Sequence, residues 1–223
     1  MERKIVITED GSSTLYLDSI QECYHSHFGA IQEAHHIFIK QGFQVLVEKG
    51  CQKINILEVG FGTGLNCFLT LCHNEPYGAS IYYEGIEKFP LKEHEVSLLN
   101  YPHLIVGSSP DLFLGLHQAS WNTAIEITDC FNLHKRDTPF ENTKFIPDHF
   151  DLVYFDPFSP DKQPEMWQKD LLVHVYQAMK PNGILLTYCT KGIVKRAMKE
   201  VGFDIEKLPG PIGKREILRA TKQ

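Results

Sequence analysis

Three glycines at alternate positions close an apolar strand in Asn55-Ile56-Leu57-Glu58-Val59-Gly60-Phe61-Gly62-Thr63-Gly64-Leu65-Asn66. Glycine is required where backbone must come close to a ligand, because a Cβ there would collide with it. A helical pattern comes next (Leu65, Phe68, Leu69, Leu71), and the start of such a helix offers free N–H groups to whatever sits in front of it. The dinucleotide fingerprint places its third glycine where Leu65 stands, so NAD and FAD fit this loop poorly. A second stretch, Asp151-Leu152-Val153-Tyr154-Phe155-Asp156-Pro157-Phe158-Ser159-Pro160, delivers a carboxylate at the end of a buried strand, and two prolines stiffen the loop beyond it.

The glycine stretch, with Glu58 just before it, resembles the S-adenosylmethionine loop of Rossmann-fold methyltransferases. Ligands of open α/β sheets bind at the carboxyl ends of the strands, and three acids fall near such ends. Glu58 is placed to take the cofactor's ammonium group through water or backbone. Glu87 closes Tyr82-Tyr83-Glu84-Gly85-Ile86-Glu87, about 20 residues past the glycines, the position from which a carboxylate accepts both ribose hydroxyls. Glu84 is the rival for that role from inside the strand. Asp137, after Phe131–Arg136, is the acceptor for the adenine amino group. The Asp156 loop approximates the Asn/Asp-Pro-Pro-Tyr/Phe loop of methyltransferases that alkylate amino nitrogens. An amine attacks a sulfonium methyl only as the free base, and an alkylamine is protonated at neutral pH. Asp156 and nearby carbonyls can hold the N–H groups, aim the lone pair and receive the proton, with Phe158 as an apolar or stacking wall.

Strands alternating with helices must position these groups. The pattern predicts a hairpin from 5–8 and 14–17 and a helix from about Ala30 to Glu48. Strands are then expected at 54–59, 80–86, 123–129, 131–136, 150–155, 183–189, 203–207 and 215–221, and helices at 65–73, 90–99, 109–118, 165–180 and 191–200. This is an α/β chain with a mostly parallel, Rossmann-like sheet covered on both faces. The last two strands, joined through Pro209-Gly210-Pro211-Ile212-Gly213, must be antiparallel. Residues 1–50 form a hairpin-and-helix extension and 51–223 the main domain. With 223 residues and a net charge of −6, the chain is expected to be cytoplasmic and not a general nucleic-acid coat. It has no apolar run long enough for a membrane span and no apolar signal core after Met1. Its six cysteines lack C-x-x-C pairing and read as reduced thiols, with Cys67 and Cys72 in the core.

Glu58–Asn66, Glu87-Lys88-Phe89-Pro90-Leu91, Asp156–Trp167 and Gly213-Lys214-Arg215-Glu216 recur in order. Together they closely resemble the methyltransferase domain of MnmC, a bifunctional tRNA wobble-uridine modification enzyme, and its stand-alone relatives. The resemblance implies a class I methyltransferase fold with S-adenosylmethionine as cofactor. It implies N-methylation of 5-aminomethyl-2-thiouridine in tRNA to 5-methylaminomethyl-2-thiouridine. By motif match Gly60, Gly62, Gly64 and Glu87 hold the cofactor, and Asp156 lies nearest the amine. Three features depart from the family. Pro157 stands where Gly or Ala is usual and stiffens the loop. Arg136 replaces a frequent Gly and weakens the adenine assignment of Asp137. No sequence corresponds to the FAD-dependent domain that removes a carboxymethyl group, so other enzymes are expected to supply the aminomethyl uridine.

Lys191, Lys195, Arg196 and Lys199 share one helix, and Lys214 and Arg215 come after the Gly-Pro loop. In a tRNA enzyme they contact phosphates, and otherwise they are a solvated face. His25, His27, His35 and His36 have no metal-ligand spacing, and Tyr24–Ala30, leading to a helix with Glu33, is a candidate lid. Two other readings remain open: a polyamine synthase, which favours a rim of acids, and a non-catalytic Rossmann module binding RNA or protein.

Overall fold

The structure, a computed structural model, describes residues 2–223. β1 (Arg3–Ile7) and β2 (Ser13–Leu17) form the expected hairpin, with Ile5 opposite Leu15, and the short β3 (Glu22–Cys23) extends it. Asp10 in the turn accepts from the Ser12 N–H at 2.9 Å and the Gln32 N–H at 3.0 Å. That carboxylate ties the hairpin to the next helix. The helix is continuous but wide in its middle: α1 (Ala30–Ala34), a π-helical stretch His35–Phe43, and α2 (Gln44–Glu48). Its apolar face joins the main core, where the Phe38 ring packs 5.0 Å from that of Tyr154.

β4 (Lys53–Val59), α3 (Leu65–Asn74) and β5 (Ser80–Glu87) make the first parallel unit. The region expected as one helix over 90–99 is instead a short α4 (Glu93–Val96) and α5 (Tyr101–Leu104). Pro90 cannot extend a helix backwards. The Glu95 carboxylate folds onto the Lys92 N–H at 2.8 Å and pairs with Arg3 at 2.9 Å, which fixes the helix start three residues later than the pattern suggested. α6 (Pro110–Gln118), β6 (Ala124–Thr128), β7 (Phe131–Asp137) and β8 (Phe150–Phe155) come next. The chain then adds α7 (Lys169–Ala178), β9 (Met179–Thr187), α8 (Gly192–Val201), β10 (Phe203–Pro209) and β11 (Glu216–Lys222).

Among the described residues, eight strands form one sheet in the order β10-β11-β9-β8-β4-β5-β7-β6. The five central strands are parallel, and β11 is antiparallel to both β9 and β10, as the short connection required. β6 is also antiparallel, because only Asp129 and Cys130 separate it from β7, too few for a crossover. Alternate residues of the central strands feed two cores. Ile54, Ile56, Leu152 and Tyr154 face the π-helical stretch and α3, whereas Leu57, Val59, Val153 and Phe155 face α7 and α8. No helix among the described residues is long and apolar enough to cross a membrane.

Strand order reverses at β4, whose neighbours are β5 on one side and β8 on the other. The carboxyl ends of β4, β5 and β8 therefore open one crevice.

Gly42 reads out the fit of the π-helical stretch to the sheet. A Cβ there would lie 2.5 Å from a Leu186 methyl and 3.2 Å from a Leu152 methyl. Gly42→Ala should therefore destabilise the chain by about 1–3 kcal/mol through overpacking. Chemical denaturation checks this, and an unchanged midpoint would contradict the close approach.

Candidate active site

The crevice is a cavity of about 620 Å³, within the range of small-molecule sites. Its floor is the loop after β4. Gly60 has φ +92°, and a Cβ there would lie 2.9 Å from the Asp156 carbonyl oxygen. The Gly60 and Phe61 N–H groups donate to the Ile86 carbonyl at 3.1 and 3.0 Å, so the loop lies flat over the ends of β5 and β8. Gly60 and Gly62 line the cavity. Gly64 has a different role: it starts α3 at φ +71°, and its Cβ would meet the His117 ring 2.9 Å away. Behind it His117 Nε2 lies 3.1 Å from the Thr63 carbonyl, and His25 Nε2 lies 3.5 Å from the Thr63 hydroxyl. Burial pushes both imidazoles down to about 4, so both are neutral supports at neutral pH.

Glu87 reaches the cavity from the end of β5. One carboxylate oxygen accepts from the Gly62 N–H at 2.9 Å and the other from the Phe89 N–H at 2.8 Å. These bonds hold the carboxylate against the glycine loop, where it can take vicinal hydroxyls. Glu84 cannot compete. It points away from the cavity, pairs with Arg136 at 2.9 Å and accepts from the Tyr82 hydroxyl at 3.0 Å.

Two expected cofactor residues lie elsewhere. Glu58 is wholly buried below the loop, accepting from Tyr83 Oη at 2.8 Å and Asn66 Nδ2 at 2.9 Å. Burial pushes its carboxyl well above the usual range. It supports the loop from within and does not reach the cavity. Asp137 is exposed at the end of β7 and outside the cavity, which Thr138, Phe140 and Glu141 line in its place. The Arg136–Glu84 pair and the Asn122 side chain, which accepts the Asp137 N–H at 3.2 Å, fix the strand end in that direction.

Asp156 stands at the end of β8 beside Gly60, its N–H donating to the Val59 carbonyl at 3.0 Å. Its Oδ2 accepts from Asn66 Nδ2 at 3.1 Å. Burial raises its carboxyl well above the ordinary value and Glu33 adds to the rise, while Asn66 and Lys214 oppose it. The loop beyond is stiff: Pro157 offers its carbonyl to the Tyr188 hydroxyl at 2.9 Å, and Phe158 offers its own to the Trp167 indole at 2.8 Å. The Phe158 ring forms a cavity wall and meets Tyr24 edge-on at 5.1 Å.

Tyr24–Phe28 covers the cavity, and Glu33 binds it down by accepting from the Ser26 N–H at 2.7 Å. Glu33 also pairs with Lys214 at 2.9 Å, whose ammonium sits 4.9 Å above the Tyr188 ring. Lys214 thus reaches the site, whereas Arg215 is exposed outside it. Lys195 and Arg196 do not line the cavity. With Lys199 and Lys207 they edge a shallow surface depression on α8 and β10. Lys207 is paired with Glu216, and Lys191 with Asp161, but Lys195, Arg196 and Lys199 have no ion-pair partner among the described residues.

Sequence reasoning missed Asn66 and Tyr188. Asn66 carried a weak signal, a polar residue in an otherwise apolar first helical turn. Tyr188 carried none.

Residues 122–223 match the model of a family of S-adenosyl-L-methionine-dependent methyltransferases. The tRNA 5-methylaminomethyl-2-thiouridine biosynthesis bifunctional protein MnmC of Hydrogenovibrio crunogenus is 29% identical over 96% of this chain and 33% of that protein. The chain spans about a third of the length of the curated relatives it matches. Among solved structures, MNMC2 from Aquifex aeolicus aligns with a TM-score of 0.83 at 27% identity, over 100% of this chain and 71% of that one. Spermidine synthase from Thermotoga maritima shares the fold, with a TM-score of 0.61 at 12% identity over 99% of this chain and 69% of that one. The match covers the antiparallel end of the sheet, and the glycine loop and Glu87 fit S-adenosylmethionine.

Glu87→Ala should weaken S-adenosylmethionine binding about tenfold or more, since each charge-assisted bond is worth on the order of 1.5–3 kcal/mol. Glu84→Ala should lower stability and leave affinity unchanged. Calorimetric titration of both variants decides between them, and the reverse pattern would move the ribose role to Glu84.

Proposed function

We propose that this chain, an S-adenosylmethionine-dependent methyltransferase similar over most of its length to MnmC, N-methylates 5-aminomethyl-2-thiouridine at the tRNA wobble position. The product is 5-methylaminomethyl-2-thiouridine. The reading rests most on one observation: the Asp156 carboxyl, held by Asn66, lines the same cavity as the glycine loop and Glu87. When bound there, the cofactor supplies an electrophilic methyl group on a sulfonium.

The residues of the chain supply the rest. An alkylammonium enters protonated at neutral pH. Asp156 as carboxylate takes one of its protons, leaving the free base, and the Asp156 oxygen turned away from Asn66 holds an N–H. A raised carboxyl is the better acceptor, because its affinity for the proton lies closer to the working pH. The rate should accordingly fall as the pH drops through the raised Asp156 value. Phe158 and Tyr24 shape the wall on which a base can lie, and Glu33 with Asp156 favours a cationic substituent. The burial of these groups excludes water from the reacting nitrogen.

A polynucleotide needs contacts beyond the cavity. Lys162 and Lys214 stand at the mouth, and Lys195, Arg196 and Lys199 lie on the neighbouring α8 surface. These cations position phosphates and read no bases. They also favour an anionic polymer over a polyamine, so the spermidine synthase likeness is one of fold. The aminomethyl group comes from other enzymes in this reading, since the substrate amine must already exist.

Asp156→Asn keeps shape but cannot take a proton. In single turnovers with saturating tRNA and cofactor its rate should fall roughly 100- to 10,000-fold, with cofactor affinity changed far less. A rate within about threefold of wild type across a pH series would assign Asp156 a structural role. Reversing Lys195 and Arg196 to Glu should raise the Michaelis constant for tRNA and lower the salt slope of binding by about one to two. Insensitivity to both reversals would make α8 a solvated face.

A further inference from the structure

Asn66 occupies the first turn of α3, directly after the glycine loop, and is only 3% exposed. Its Nδ2 lies 2.9 Å from Glu58 Oε1 and 3.1 Å from Asp156 Oδ2. One amide group is thus shared between two carboxyls, one below the loop and one in the cavity. Its Oδ1 is buried and has no partner among the described residues. A buried acceptor without a partner costs stability, and turning the amide over would be the ordinary remedy. With the carboxyls ionised, that would place Oδ1 against two acceptor oxygens and lose both bonds. In the ionised state the orphaned oxygen is therefore a consequence of the double donation, and the amide has one orientation. Glu58 is held in turn by Tyr83 Oη at 2.8 Å. A connected row, Tyr83–Glu58–Asn66–Asp156, crosses β5, β4, α3 and β8.

We propose that Asn66 is the positioning residue of the reacting centre. By holding Asp156 Oδ2 it turns Oδ1 towards the cavity and keeps that carboxyl able to ionise. Glu58 anchors Asn66 and does not touch the cofactor. The proposal rests on the assignment of Asp156 to the amine. Asp156 is faced by carboxyls from two elements, Glu58 of β4 and Glu33 of α1, with Glu87 of β5 acting on Glu58. Lys214 from the loop before β11 and Tyr188 after β9 complete its surroundings. Among these groups Asn66 is the hydrogen-bond donor to its side chain. Without that donor the neutral form of Asp156 is favoured, and a neutral carboxyl cannot accept the proton that must leave.

Asn66→Asp keeps the volume and replaces the donor by a third carboxyl. In single turnovers its neutral-pH rate should fall about tenfold or more, and the acid limb of its pH profile should rise by about one pH unit or more. Cofactor affinity by calorimetry should stay within about threefold, because Asn66 is assigned to Asp156. A purely packing role would leave the acid limb in place. A limb and a rate both unmoved would overturn the proposal. A second measurement needs no variant of Asn66 and no substrate. In the ¹⁵N-labelled wild-type chain, both side-chain amide signals of Asn66 should be protected from exchange and shift with pH. Asp156→Asn should abolish that shift. Amide signals indifferent to pH in the wild type would overturn the proposal. If the titration link holds and wild-type chain leaves aminomethyl uridine in tRNA unmethylated, the substrate reading fails and Asn66 keeps its role.

Discussion

The close approach of Gly60 to Asp156 is the constraint on which the site depends. β4 and β8 pair in parallel with Val59 beside Phe155, so the loops leaving them must run side by side. The Asp156 N–H bonds to the Val59 carbonyl, and a Cβ on residue 60 would strike the Asp156 carbonyl. Only glycine lets the loop after β4 and the loop after β8 share one strand boundary. The glycine loop, Glu87 and the Asp156 carboxyl therefore line the same space. Glu87 completes the rim because β5 is the other neighbour of β4 and carries its carboxylate to the Gly62 N–H.

Charge inside this arrangement is balanced by geometry. Glu58, Glu33 and Asp156 lie near one another, and burial raises Glu58 and Asp156. Such a group of acids would repel unless donors were shared among them. Asn66 spans two of the carboxyls, Tyr83 holds one, and Lys214 pairs directly with Glu33. The other Glu33 oxygen accepts from the Ser26 N–H and ties down the Tyr24–Phe28 cover, so one carboxylate links the electrostatics and the shape of the cavity.

Much of this was legible in the amino-acid order. Near-continuous apolar runs, buried on both faces, made β4 and β8 visible, and residues just past the carboxyl end of a buried parallel strand are placed for chemistry. Gly60, Gly62, Glu87 and Asp156 are therefore found at the cavity. The failures share a cause. Glu58 and Asp137 also sit at strand ends, but whether such an acid faces the ligand depends on partners distant in sequence. Tyr83 and Asn66 turn Glu58 inward, and the Arg136–Glu84 pair and Asn122 hold the end of β7. Gly64 serves packing against His117, a contact 53 residues away that no local pattern carries. The helix over 90–99 was shortened by Arg3, whose grip on Glu95 spans 92 residues. Lys214 and Lys195 are both basic residues near the C-terminus, yet only the loop geometry between β10 and β11 brings one of them into the cavity.

The glycine loop, Glu87, the Tyr24–Phe28 cover and Asp156 all line one cavity, and the proposed reaction places the substrate nitrogen beside Asp156. The most direct measurement is nucleoside analysis by mass after incubating the wild-type chain with isotopically methyl-labelled S-adenosylmethionine and tRNA carrying the aminomethyl uridine. The predicted result is one labelled methyl group on the exocyclic amine of the wobble nucleoside, and none on tRNA whose wobble uridine lacks that amine. Label on a ring atom or a ribose, or transfer to a polyamine in place of tRNA, would contradict it.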